Sequence, residues 1–205
     1  MKELYYTNLK IAAIITAIIA IIIIGLTEYL RNQSFFLMLN HDGGKFFDKL
    51  FSIITTGGEV IPWVAALILV LIWRKYLLWL LVDCFVISTL FVQGIKNILP
   101  EQPRPTKAIS NLQLVHTVDG VELYKVHSFP SGHTSAAFTV FFIACLAIEK
   151  RWIIPVGFIY ASLVGYSRIY LAEHFPLDVG GGMLIAIVTI FICLKFWEAL
   201  SKRKN

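Results

Sequence analysis

Charge is scarce in this chain. Acidic and basic residues together make up 15% of its 205 residues, whereas 58% are apolar and the mean hydropathy is +0.74. A soluble domain carries about a quarter charged residues, so this balance excludes an ordinary water-soluble enzyme. Cysteine is also rare. Cys84, Cys145 and Cys193 each fall inside a long apolar run, far apart in sequence, and read as small packing residues rather than disulfides or metal ligands. No group of His, Cys and carboxylate residues has metal-ligand spacing, so neither a metal nor another cofactor is expected. No repeat or low-complexity tract interrupts the chain, which reads as one domain over residues 1–205. No small-residue cleavage pattern follows the first apolar run at Gly25 to Leu30, so that run reads as a retained span, not a signal peptide.

What the chain does have is long apolar runs, at about 9–30, 58–73, 76–95, 132–148, 152–170 and 178–197. A bilayer core takes about 20 apolar residues to cross at roughly 1.5 Å each. The runs therefore predict an all-α integral membrane protein of six transmembrane helices. The net charge of +5 does not signal nucleic acid, because the cations sit where topology needs them. Arg74-Lys75 and Lys150-Arg151 fill tight turns, Lys2 and Lys10 flank the first span, and Lys202, Arg203 and Lys204 close the chain. By the positive-inside rule these short basic segments face the cytoplasm with both termini. Segments 31–57 and 97–131, and the short turn after the fifth span, then face outward. In the first of these, positions 46, 47, 50, 51 and 54 share one helical face. Two readings stand open: an interfacial helix that helps admit a lipid, or a short helix capping the bundle.

Two polar stretches lie at the mouths of apolar runs on that outer side. In the first, Pro130-Ser131-Gly132-His133, Ser131 suits an N-cap, Gly132 lets an anion approach the backbone, and His133 falls in the first turn. A helix N-terminus presents free N–H groups and partial positive charge, which suits phosphate. An ordinary capped helix with a surface histidine would look the same. In the second stretch, Arg168 precedes His174 by six residues and Asp178 follows it by four. An aspartate in reach of one ring nitrogen fixes the tautomer and frees the other nitrogen to attack phosphorus. The competing reading is a loop ion pair of Arg168 with Glu173 or Asp178. Lys96 and Arg104 add positive charge nearby, although alone Lys96 reads as a snorkelling interfacial lysine. Asp83, in mid-span, reads as a packing residue facing the bundle interior.

Together these residues resemble the membrane branch of the type-2 phosphatidic acid phosphatase superfamily. Its Pro-Ser-Gly-His motif stands unchanged at Pro130 to His133. Its Ser-Arg, five residues, His, three residues, Asp motif is met by Ser167, Arg168, His174 and Asp178. The first motif departs: seven residues separate Lys96 from Arg104 where the family usually has six, and Asn97 holds the usual lysine place. Lys107 is a weaker substitute. The resemblance implies that His174 attacks phosphorus to form a phosphohistidine, that Asp178 orients it, and that His133 protonates the leaving group and later activates water. It implies a phosphate cradle of Lys96, Arg104, Arg168 and the backbone at Ser131-Gly132, with no metal. The expected protein is a multi-pass phosphatase of the bacterial cytoplasmic membrane, with its site on the periplasmic or extracellular side and a lipid phosphate as partner. Undecaprenyl diphosphate is the first choice. The alternatives are phosphatidylglycerol phosphate, a lipid A phosphate, and a phosphotransferase using the same histidine.

Overall fold

The computed structural model describes residues 3–202 and, among them, contains helices and turns but no strand. Helices occupy all six expected runs: α1 (Glu3–Leu30), α4 (Val60–Trp73), α5 (Leu78–Ile98), α7 (Gly132–Ala147), α8 (Ile153–Tyr170) and α9 (Pro176–Lys202). Three shorter ones lie between them: α2 (Asn32–Leu39), α3 (Lys45–Ile54) and α6 (Pro105–Ala108). Lys2, Arg203 and Lys204, on which part of the orientation argument rests, lie outside the described residues.

Four of the long helices are long and apolar enough to cross a membrane. A fifth is reached if α3 and α4, bent by 53° at their junction, count as one span. The expected sixth, α7, has only 16 residues, or about 24 Å of helix. Its position explains the shortness. It is buried among α1, α4, α5, α8 and α9, with almost every side chain enclosed, so it meets protein rather than lipid. The others turn large apolar side chains outward: Ile14 and Ile21 on α1, Ile68 and Ile72 on α4, Trp79 and Leu90 on α5, Ile159 on α8 and Phe196 on α9. Apolar surface of that extent on every flank suits hydrocarbon, not water.

The chain reverses at each long helix. The C-terminal ends of α5 and α8 therefore meet the N-terminal ends of α7 and α9 at one end of the bundle. The basic turns lie at the other. There Arg74 caps α7: its Nε donates to the Ala147 carbonyl at 3.0 Å and its Nη2 reaches Glu149 at 3.2 Å. A cation at a helix C-terminus meets the negative end of the dipole.

Helix α3 packs on the bundle along one face and leaves aromatic side chains exposed on another. Phe51 packs on Tyr166 and Tyr170 of α8, while Phe46 and Phe47 remain exposed. Asp83 is half-buried rather than enclosed. Cys84 on α5 and Cys193 on α9 are buried free thiols, on helices that pack together.

Candidate active site

The end of α8 sets the geometry. The chain leaves the helix through Ala172, whose φ of 55° lies in the left-handed region, a conformation that costs an L-residue about 1 kcal/mol. The Arg168 carbonyl then accepts from the N–H groups of both Glu173 (2.9 Å) and His174 (3.1 Å). This tight reversal turns both side chains into the protein. Pro176 next starts α9 with its ring at the first helical position, where no N–H is needed.

Asp178, the third residue of α9, does two things. Its Oδ2 reaches back to accept from the Phe175 N–H at 2.9 Å, capping α9, and also accepts from His174 Nδ1 at 3.2 Å. Ser128 donates its hydroxyl to the same oxygen at 2.5 Å. With its proton held on Nδ1, the neutral His174 ring keeps an unshared pair on Nε2. Burial pushes His174 well below the usual histidine range, with Arg104, Arg168 and Lys96 adding to the effect and a hydrogen bond to the Ser128 backbone opposing it.

Both arginines reach the same place and are buried. Arg104 stands just before Pro105 and is therefore extended, with φ −80° and ψ 165°. Its Nε donates to the Val126 carbonyl at 3.0 Å and its Nη1 to the Glu173 carbonyl at 3.0 Å. Arg168 donates from Nη1 to Thr55 Oγ1 at 2.6 Å. Glu173 lies between the two guanidiniums, its Oε2 paired with Arg104 Nη1 and, at 3.3 Å, with Arg168 Nη2. The ion pair of Arg168 with Glu173 that stood as the competing reading thus exists, as part of a larger cluster. Burial pushes the Glu173 carboxyl up, and the two guanidiniums pull it down.

Ser131 caps α7 as expected, its Oγ accepting from the Thr134 N–H at 3.4 Å and the Thr134 hydroxyl at 2.9 Å. The Ser131 N–H donates to the Asp178 carbonyl at 3.0 Å, which ties the two motifs together. A Cβ added to Gly132 would meet only Val92, at 3.5 Å, so the backbone is open there. His133 points toward Glu59, with Nε2 and Oε1 3.5 Å apart. Lys96 closes the group from the last turn of α5, within electrostatic reach of Arg104, Arg168, Glu173 and Asp178. The neighbouring Asn97 is exposed, and Lys107 pairs with Glu101 at 2.6 Å on the surface. The structure thus gathers every expected site residue at one end of the bundle and leaves Lys107 apart.

Other contributors did not stand out in the sequence. Gly182 is one: a Cβ there would lie 2.6 Å from the Ser131 carbonyl oxygen and 2.9 Å from Thr134 Cβ, so only glycine lets α9 approach α7 this closely. The run Gly180-Gly181-Gly182 after Asp178 was the available signal. Thr55, Gly58 and Glu59 carried none, being distant in sequence from the motifs, and Ser128, two residues before Pro130, carried none because a lone serine there does not reveal that it reaches Asp178. Sequence spacing also hid a second polar group, Asp42, Asp48 and His116, whose ligand atoms lie within 4.8 Å of one another. Tyr170 donates to Asp48 there at 2.7 Å, and His116 Nε2 lies 3.0 Å from the same carboxylate. Neither His133, His174 nor Asp178 belongs to it.

A buried imidazole with one nitrogen held by a carboxylate, surrounded by three cations and a helix N-terminus, is the arrangement of a protein that handles phosphoryl groups. The PAP2 superfamily profile matches residues 76–202, and the chain belongs to that superfamily. It is 27% identical over 198 residues to an undecaprenyl-diphosphatase of Sulfolobus acidocaldarius, covering 95% of this chain and 92% of that one. It is 32% identical over 143 residues to the undecaprenyl-diphosphatase BcrC of Bacillus subtilis, covering 66% and 68%. The structure matches that of LpxE from Aquifex aeolicus with a TM-score of 0.71 and 32% identity, over 80% of this chain and 94% of that one. A transmembrane PAP2-type phosphatidylglycerolphosphate phosphatase from Bacillus subtilis shares the fold at a TM-score of 0.64 and 18% identity, over 91% and 96%. These likenesses put the chain among the membrane phosphatases of the superfamily.

Proposed function

We propose that this protein hydrolyses a membrane lipid phosphate or diphosphate through a phosphohistidine, with undecaprenyl diphosphate as the first-choice substrate. The observation that carries the reading is His174, its Nδ1 committed to Asp178 and its ring within electrostatic reach of Arg104, Arg168 and Lys96. His174 Nε2 attacks phosphorus, and a P–N bond forms as the bond to the leaving oxygen breaks. His133 gives that oxygen its proton. His133 then takes a proton from water as the water attacks the phosphohistidine, the P–N bond breaks, and inorganic phosphate leaves. Lys96, Arg104, Arg168 and the backbone at Ser131-Gly132 hold the phosphoryl oxygens, over which charge is spread in the transition state. No step requires a metal.

Two features support a lipid substrate. The site lies at the end of a bundle with apolar flanks, and an apolar groove of about 360 Å³ runs along α4, α7 and α8 from Gly57, at the edge of the site. The names of the Sulfolobus and BcrC relatives favour a carrier-lipid diphosphate. By the cation pattern, the six helices α1, α4, α5, α7, α8 and α9 span the cytoplasmic membrane with both termini inside and the site outside.

The test is phosphate release by detergent-purified protein in EDTA, with His174→Ala alongside. The panel holds undecaprenyl diphosphate, phosphatidylglycerol phosphate, phosphatidic acid, lipid A and a soluble phosphomonoester. Release in EDTA that disappears in the variant is expected. Loss in EDTA restored by added metal would overturn the metal-free mechanism. Transfer of labelled phosphate to an alcohol in place of water would make the protein a transferase.

A further inference from the structure

The turn between α3 and α4, Thr55-Thr56-Gly57-Gly58-Glu59, lies outside the matched profile yet touches two site residues from one side. Its Thr55 hydroxyl accepts from Arg168 Nη1. A Cβ at Gly58 would fall 2.6 Å from His133 Cβ and 2.8 Å from its Cα, so the turn is seated directly on the His133 backbone. The Tyr160 hydroxyl anchors the turn by donating to the Gly57 carbonyl at 2.5 Å. Glu59 occupies the N-cap position of α4, but its side chain makes no cap hydrogen bond there. The carboxylate is turned instead toward His133 Nε2, at 3.5 Å. It also lines a cavity of about 210 Å³ between α4 and α5 that reaches Gly132.

From this geometry we infer that Glu59 is a positioning residue for His133, holding its ring and stabilising the imidazolium that protonates the leaving oxygen. The inference rests on the phosphatase reading above. Arg168, His174, Lys96 and Arg104 also lie within electrostatic reach of His133, and three of these are cationic side chains. A proton placed on His133 therefore needs an anion nearby, and Glu59 supplies it at 3.5 Å. In the chemical step the proton passes from His133 to the leaving oxygen as the P–O bond breaks. Water returns a proton to His133 in the second step, so Glu59 ends each turnover unchanged.

General acid help matters most when the leaving oxygen is a poor one. The experiment compares wild type, Glu59→Gln and Glu59→Asp on phosphatidic acid, which releases an alkoxide, and on p-nitrophenyl phosphate, which releases a weakly basic phenolate. Glu59→Gln is expected to lower kcat on phosphatidic acid about tenfold with little change in KM, and to move the alkaline limb of the kcat profile to lower pH. On p-nitrophenyl phosphate the loss is expected to stay below about threefold, and Glu59→Asp is expected to recover part of the activity. Equal losses on both substrates with an unmoved alkaline limb would overturn the inference, as would an unchanged Glu59→Gln. A wild type inactive on both, and on the lipid panel, would instead overturn the phosphatase reading and this inference with it.

Discussion

Two histidines each face a carboxylate, in opposite surroundings. In the His174–Asp178 pair the side chains are 2% and 4% exposed and lie 3.2 Å apart, with Ser128 and the Phe175 N–H on the same carboxylate oxygen. In the His133–Glu59 pair they are 27% and 51% exposed and lie 3.5 Å apart. Burial and shared hydrogen bonds lock the first pair in one tautomer, as a nucleophile requires. A half-open second pair can exchange protons with a leaving group and with water. On the proposed mechanism, the two depths of burial would assign attack to the first pair and proton transfer to the second.

Substitution at the two pairs should separate them by magnitude. Loss of the nucleophile in His174→Ala is expected to lower phosphate release by about 10⁴-fold or more, measured as turnover in detergent. Asp178→Asn, which keeps the shape but loses the tautomer control, should cost about 10³- to 10⁴-fold. His133→Ala should cost about 10²- to 10⁴-fold on an alkoxide leaving group and much less on p-nitrophenyl phosphate. If His133→Ala proved as damaging as His174→Ala on both substrates, the division of labour would fail.

Smaller effects probe the supports. Thr55→Val removes the hydroxyl that receives Arg168. A hydrogen bond to a charged group is worth about 1.5–3 kcal/mol, so a loss of about tenfold in kcat/KM is expected. Gly182→Ala must push α9 away from the Ser131 carbonyl and Thr134. A stability loss of about 1–3 kcal/mol is expected in thermal melts, with lower activity because Asp178 rides on the same helix.

The smallest effect concerns pH. The folded His174 stays neutral well below the usual histidine range, while the unfolded chain takes up a proton near pH 6.5. Below that pH the unfolded state binds more protons, so this group's contribution to stability is present above about 6.5 and falls as pH drops toward the folded value. The melting temperature of wild type should therefore fall more steeply below pH 6.5 than that of His174→Gln.

Much of this was legible from residues alone, and for definite reasons. Apolar runs report spans because a bilayer admits only satisfied backbone and apolar side chains. The pair His174 and Asp178 was legible because a proline start and an acidic third position are local helix chemistry. Other features were beyond reach. Glu173 meets Arg104 across 69 residues, and Thr55 meets Arg168 across 113. The structure bears out four of the six expected spans by length, or five with α3 and α4 taken together, because a run of apolar residues does not reveal whether lipid or protein surrounds it.

Chain chemistry therefore decided the helical, membrane-suited architecture, the helix caps and the residue types able to move a phosphoryl group. Those depend on neighbours within a few residues and on composition. Tertiary packing decided which carboxylate faces which histidine and that one acid holds both arginines. It also decided that a turn from the far side of the sequence is seated on His133. Such pairings depend on distances between helix ends, and those are set only when the glycines of α9 and of the turn let the backbones close to within contact.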